Sequence, residues 1–95
     1  MKITIKFFAV IREIVGKKEE TLELKDAPTI LSVLQVLSEK YGEQFRSYVF
    51  DAKTDAPRTN LQFMIDGKNS TTMDGLKTRL GDGSVLAIIP PVGGG

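Results

Sequence analysis

The sequence predicts an α+β fold in which a mixed β-sheet packs on one main helix. Three observations predict it. Residues 2–8, "KITIKFF", alternate polar and apolar side chains, as a strand with one buried face does. Residues 30–41 carry the one long apolar stripe at helical spacing. The last apolar run, "VLAII", reads as a strand, and the connection back to it is long enough to set it parallel to the first strand at the centre of the sheet. A single long helix covers only one face of a sheet, so two layers result.

Each element has its own justification. Ile3, Ile5 and Phe7 share one face of the first strand, and Phe8 breaks the alternation. "IREIVG" reads as a turn of helix or a loop closed by Gly16. "EETLEL" alternates again, with Leu22 and Leu24 inward, and lies close enough to the first strand for an antiparallel hairpin. In "APTILSVLQVLSEKYG", Thr29 is placed to accept an orphan amide hydrogen bond as the N-cap. Ile30, Val33, Leu34, Val36, Leu37 and Tyr41 form the stripe, and Gly42 fits a left-handed cap. "EQFRSYVF" reads as a second short helix with Phe45, Val49 and Phe50 inward. A polar loop over 51–60 follows. Leu61, Phe63 and Ile65 then alternate into Asp66-Gly67, a tight-turn pair. "TTMDGLKTRL" can hold a turn of helix, and "GDGS" leads into the last strand.

Composition narrows the chemistry. A chain of 95 residues makes one domain with one core and little room for an enclosed active site. There is no Cys and no His, hence no thiolate nucleophile, no imidazole base and neither of the usual soft metal ligands. Phosphate-loop and dinucleotide patterns are missing. A net charge of +1 without a basic cluster gives no reason to expect nucleic acid or an acidic membrane. "MKITIKFFAV" lacks a signal peptide's continuous apolar run, and no segment has the length of a membrane span, so a cytoplasmic location is expected. A self-contained enzyme is not expected.

The end of the chain, "IIPPVGGG", is either a loose end or a working end. Val85 to Ile89 are apolar on both alternating faces, which suggests an apolar patch beside the tail that docks a partner. Pro90 and Pro91 remove two backbone donors, so the ladder must stop there. Gly93, Gly94 and Gly95 have no Cβ and can thread a narrow channel. From Val92 onward an extended tail reaches on the order of 13 Å, enough to deliver a terminal carboxylate to a partner's active site.

With "KFFAVIREIVG" near one end, "GDGSVLAIIPPV" near the other and the closing glycines, the chain resembles the ubiquitin-like β-grasp sulfur carriers and modifiers. The nearest likeness is to the small subunit of molybdopterin synthase and to the small archaeal modifier proteins. It spans essentially the whole length. It differs by a third glycine, Gly93, and by extra length around 43–60, which fits the shorter thiamine-pathway carrier less well.

The resemblance implies a β-grasp domain over residues 1–92 and a flexible glycine tail over 93–95. It implies that a ubiquitin-activating-type enzyme, using ATP, adenylates the carboxylate of Gly95, with Gly94 giving clearance in that enzyme's channel. The acyl-adenylate is then converted to a thiocarboxylate for molybdenum cofactor synthesis with the molybdopterin synthase large subunit, or joined to lysines of target proteins. Phe7 or Phe8, with Ile88, Ile89, Pro90, Pro91, Val92 and Gly93, match the partner-docking regions. No cofactor is held by the chain itself, and no catalytic or metal-binding residue is assigned. A third reading is a non-covalent interaction module with an idle tail.

Overall fold

Two strands from opposite ends of the sequence form the centre of the molecule. β1 (Lys2–Phe7) lies parallel to β5 (Val85–Ile89), with Ile5 opposite Leu86 and Phe7 opposite Ile88. β2 (Glu19–Glu23) adds antiparallel to β1, and β3 (Gln62–Ile65) antiparallel to β5. β4 (Lys68–Asn69) closes the far edge, giving the order β2-β1-β5-β3-β4. The computed structural model describes residues 1–91. The expected domain end at Val92 and the tail Gly93 to Gly95 lie outside the described residues.

Three helices, one main and two short, cover one face of this sheet. α2 (Ile30–Tyr41) is the main one and supplies Ile30, Val33, Leu34 and Leu37 to the core. α1 (Ala9–Val15) contributes Ile11, and α3 (Glu43–Val49) contributes Phe45 and Val49. They meet Ile3, Ile5, Phe7, Phe63, Ile65, Leu86 and Ile88 from the sheet in one continuous cluster. The expected turn of helix after β4 is two short 3₁₀ segments, Ser70–Thr72 and Gly75–Lys77.

Local chemistry sets the boundaries. Thr29 caps α2 as expected and forms a reciprocal pair with Ser32. The Ser32 amide donates to Thr29 Oγ1 at 3.1 Å, and the Thr29 amide donates to Ser32 Oγ at 2.9 Å. Gly42 differs from expectation. Its φ of 86° is positive, but its ψ of −161° is extended, outside the left-handed helical well and open only to glycine. That conformation lets one residue end α2 and begin α3. Asp66 and Gly67 both have positive φ, 50° and 85°, which matches the twist of the β3–β4 hairpin. Asp66 Oδ1 also accepts the Val85 amide at 2.9 Å and so fixes where β5 starts.

A polar clamp ties the edge strand to the main helix. Glu20 of β2 accepts hydrogen bonds from Lys17 at 2.8 Å, from Lys40 at 2.9 Å and from the Tyr41 hydroxyl. Tyr41 in turn packs edge-on against Phe7, 6.1 Å between ring centres. The Lys17, Tyr41 and Lys40 donors favour the ionised carboxylate and hold Glu20 at a pKa of about 2, below the ordinary 4.5. A depressed carboxylate stabilises the fold at pH values above its unfolded pKa, and that contribution is lost as pH falls through the folded value. Glu20→Gln is therefore expected to lower the thermal midpoint at neutral pH. The difference from the parent should shrink as pH drops from 4.5 towards 2. Melting curves across that range check it; a constant difference at every pH would mean that the carboxylate's charge contributes nothing.

Among the described residues, no helix is long and apolar enough to cross a membrane.

Candidate functional site

β5 ends where its ladder must end. Ile89 is paired with Gln62, Pro90 is buried beneath the sheet end, and Pro91 is exposed. Because β1 runs parallel to β5, the C-terminal ends of both strands emerge together. Phe8 therefore stands at the same end of the sheet as Pro90 and Pro91.

β1 passes into α1 through a positive φ of 50° at Ala9, while Phe8 keeps an extended backbone as the N-cap. The Arg12 guanidinium lies 5.8 Å from the centre of the half-buried Phe8 ring, and Arg12 Nε donates to the Phe7 carbonyl at 3.2 Å. Lys6, Phe8, Arg12, Lys18 and Glu19 line a shallow hollow of about 200 Å³ beside the strand ends. With Phe7 the lining comprises six residues, of which three are cationic and Glu19 is anionic, so the hollow carries an excess of positive charge that the overall charge of +1 conceals.

The face of the sheet that the helices leave bare has an apolar strip. Side chains alternate along β5, so Leu86 and Ile88 enter the core while Val85, Ala87 and Ile89 turn to the bare face. Met64 joins them across the β3–β5 pairing, opposite Ala87. All four are half-buried, with Lys6 and Gln62 in register at the borders.

These positions correct the sequence reading. Ile88 and Phe7 are both 0% exposed, so neither side chain can meet a partner from this fold. Their role is to hold the two central strands on the helices. Pro90 is buried as well. Phe8, Ile89 and Pro91 are the expected docking residues that reach the surface. Val92, Gly93, Gly94 and Gly95 lie outside the described residues. The apolar strip exists, but it consists of Val85, Ala87, Ile89 and Met64. Arg12 was missed, although its place four residues after Phe8, one helical turn on, was a usable signal. Among the described residues, no group of His, Cys, Asp and Glu could hold a metal ion.

Comparison with known proteins fits this geometry. Residues 5–95 match the ThiS family. The small archaeal modifier protein 3 of Haloferax volcanii is 32% identical over the full length of both chains. The solution structure of small archaeal modifier protein 1 from Methanosarcina acetivorans superposes with a TM-score of 0.85 at 28% identity, covering 99% of this chain and 96% of that one. A putative molybdopterin converting factor subunit 1 from Pyrococcus furiosus superposes with a TM-score of 0.75 at 26% identity, covering 97% and 99%. The chain belongs to the ThiS family, with the ubiquitin-like β-grasp fold.

Proposed function

We propose that this chain is a ubiquitin-like carrier that reacts only at the carboxylate of Gly95 and borrows every catalytic group from its partners. The observation that carries the reading is the end of β5. An apolar strip on the bare face, a cationic collar around Phe8 and the ladder stop at Pro90 meet at the point from which the chain continues towards Gly95. The absence of Cys and His from the whole sequence agrees with chemistry performed elsewhere.

In this reading an activating enzyme of the ubiquitin-activating type recognises the strip and the collar. The carboxylate is a poor acylating agent. Attack of its oxygen on the α-phosphorus of ATP releases pyrophosphate and leaves an acyl-adenylate with a good leaving group. Hydrosulfide then displaces AMP from the acyl carbon to give a thiocarboxylate, whose sulfur is donated in a complex with the molybdopterin synthase large subunit while water restores the carboxylate of Gly95. The chain acts as substrate and non-catalytic subunit, and the ATP is bound by the enzyme. Similarity to a molybdopterin converting factor subunit supports this direction.

A second reading is favoured by the modifier proteins among its relatives: the adenylate passes to a lysine amine of a target protein as an isopeptide bond. Both readings are tested together by intact-mass analysis after incubation with the activating enzyme, ATP and a sulfide donor, followed by digestion of cell protein. Sulfur replacing one oxygen supports the carrier. Glycine remnants on target lysines support the modifier. Unchanged mass with no conjugates overturns both.

A further inference from the structure

β2 is an edge strand, and the phase of its ladder can be read from its two ends. The Met1 ammonium donates to the Leu24 carbonyl at 2.6 Å, and the Leu24 amide donates back to Met1 at 2.8 Å. At the other end the Phe7 amide donates to the Lys18 carbonyl at 2.8 Å. Bonded pairs recur at every second residue of an antiparallel ladder, so Leu22 and Glu20 also turn their backbone groups to β1. Glu19, Thr21 and Glu23 turn theirs the other way, along an edge that no strand covers among the described residues.

Charge says what fits there. On the bare face Lys2 stands opposite Glu23, Thr4 opposite Thr21, and Lys6 opposite Glu19. The sign changes from β1 to β2, and a further strand continues the pattern if it is basic opposite Glu19 and Glu23. A second copy of β2 does not fit. Antiparallel pairing centred on Thr21 would set Glu19 of one copy against Glu23 of the other, and like charges directly opposite are destabilising. Lys18 and Lys25 bound the strand, so a longer basic run would meet like charge at both ends. On the other side of the strand, Leu24, Ala27, Pro28 and Val36 form the apolar part of a hollow of about 400 Å³ between the end of β2 and α2, whose lining also includes Lys25, Asp26 and Arg79. That apolar part suits an apolar side chain of an added strand.

We propose that the β2 edge takes up a short extended segment of a partner protein as a sixth strand, with basic residues opposite Glu19 and Glu23, a small polar residue opposite Thr21 and apolar residues between. This edge shares Glu19 with the hollow at the end of β5, but the proposal does not depend on the tail chemistry.

The test uses the isotope-labelled full chain and two blocked peptides, Lys-Val-Thr-Val-Lys and Glu-Val-Thr-Val-Glu. The basic peptide is expected to shift the Thr21 and Glu23 amides and slow their exchange with solvent. It should bind more tightly than the acidic one by on the order of tenfold. Thr21→Pro removes the outward amide at a position where an edge strand tolerates proline, and should abolish binding. Glu19→Gln combined with Glu23→Gln keeps the backbone edge, sets no like charge against Lys2 or Lys6, and should remove the peptide preference. The proposal is overturned by any of three results: no shift at these amides up to about 1 mM basic peptide, equal binding of both peptides, or self-association of the free chain through this edge.

Discussion

Ile88→Asp is expected to leave no folded protein, whereas Ile89→Asp is expected to fold and fail at its partner. The residues are adjacent, and the difference comes from the pleat. Ile88 is fully buried, in register with Phe7 on one side and Phe63 on the other, above the helices. Truncating such a side chain to alanine costs about 2–5 kcal/mol in lost contacts and cavity. Aspartate adds an unpaired carboxylate in a site with no donor to receive it. A domain of this size has only about 5–14 kcal/mol of total stability, so the two losses together consume most or all of it. Circular dichroism should show loss of the native signal and of any cooperative melt. Ile89 is half-buried on the bare face, and an aspartate there keeps its carboxylate in water. Its cost to the fold is expected to be about 1 kcal/mol or less. In ATP–pyrophosphate exchange with the activating enzyme, KM should rise about 10- to 100-fold while the maximal rate is kept, because the side chain docks and does not react. An unfolded Ile89→Asp, or one with unchanged KM, would remove the bare-face strip from the docking surface.

The contrast also shows where the sequence was legible. β1 and β2 alternate in polarity and Leu61, Phe63 and Ile65 keep the period into β3, so period fixes which side faces inward, and Ile3, Ile5, Leu22, Phe63 and Ile65 are all buried as read. α2 was legible from its stripe and from Thr29. β5 was not, because five apolar residues in succession carry a period but no phase. Its phase is set by pairing Ile5 with Leu86 across most of the chain, a long-range fact that no local window contains. That is why Ile88 was read as surface. Phe8 was seen to break the alternation, but the reason, a one-residue entry into α1 through a positive φ at Ala9, has no compositional mark. Gly42 was legible as a helix end and not as the start of the next helix, since its ψ depends on how α3 packs. The collar around Phe8 was hidden for a similar reason: Lys6, Arg12 and Lys18 are scattered in sequence and meet only once β1, α1 and the β2 approach are folded together. The direction of the proposed chemistry rests on missing residue types and on resemblance, since a reaction performed by a partner would leave no catalytic constellation on this chain.

Removing Gly94 and Gly95 is expected to abolish activation while leaving the fold untouched. Among the described residues, the last element ends with Ile89 and the last member of the buried hydrophobic cluster is Ile88. The thermal midpoint of the shortened chain should therefore equal that of the parent. Activation requires a carboxylate held within reacting distance of the ATP α-phosphorus, and misplacement by even about 1 Å can cost a hundredfold in rate. Losing two residues withdraws the carboxylate by about 7 Å, so exchange should fall below detection. In the proposed reading docking, by contrast, uses Ile89, Phe8 and the strip, all of which remain. The shortened chain is thus expected to inhibit activation of the intact chain competitively, with an inhibition constant close to the parent's KM. That inhibition separates the readings. A carrier or modifier gives a stable, inert competitor. A non-covalent module with an idle tail gives a shortened chain that binds its partners and supports cellular function as well as the parent, and that result would refute the proposed chemistry at Gly95. Gly94→Val completes the argument by keeping the length and the carboxylate and adding a branched side chain. If the partner's channel excludes a Cβ, the maximal rate falls and competition persists; if the rate is unchanged, clearance at Gly94 is not what the glycines supply.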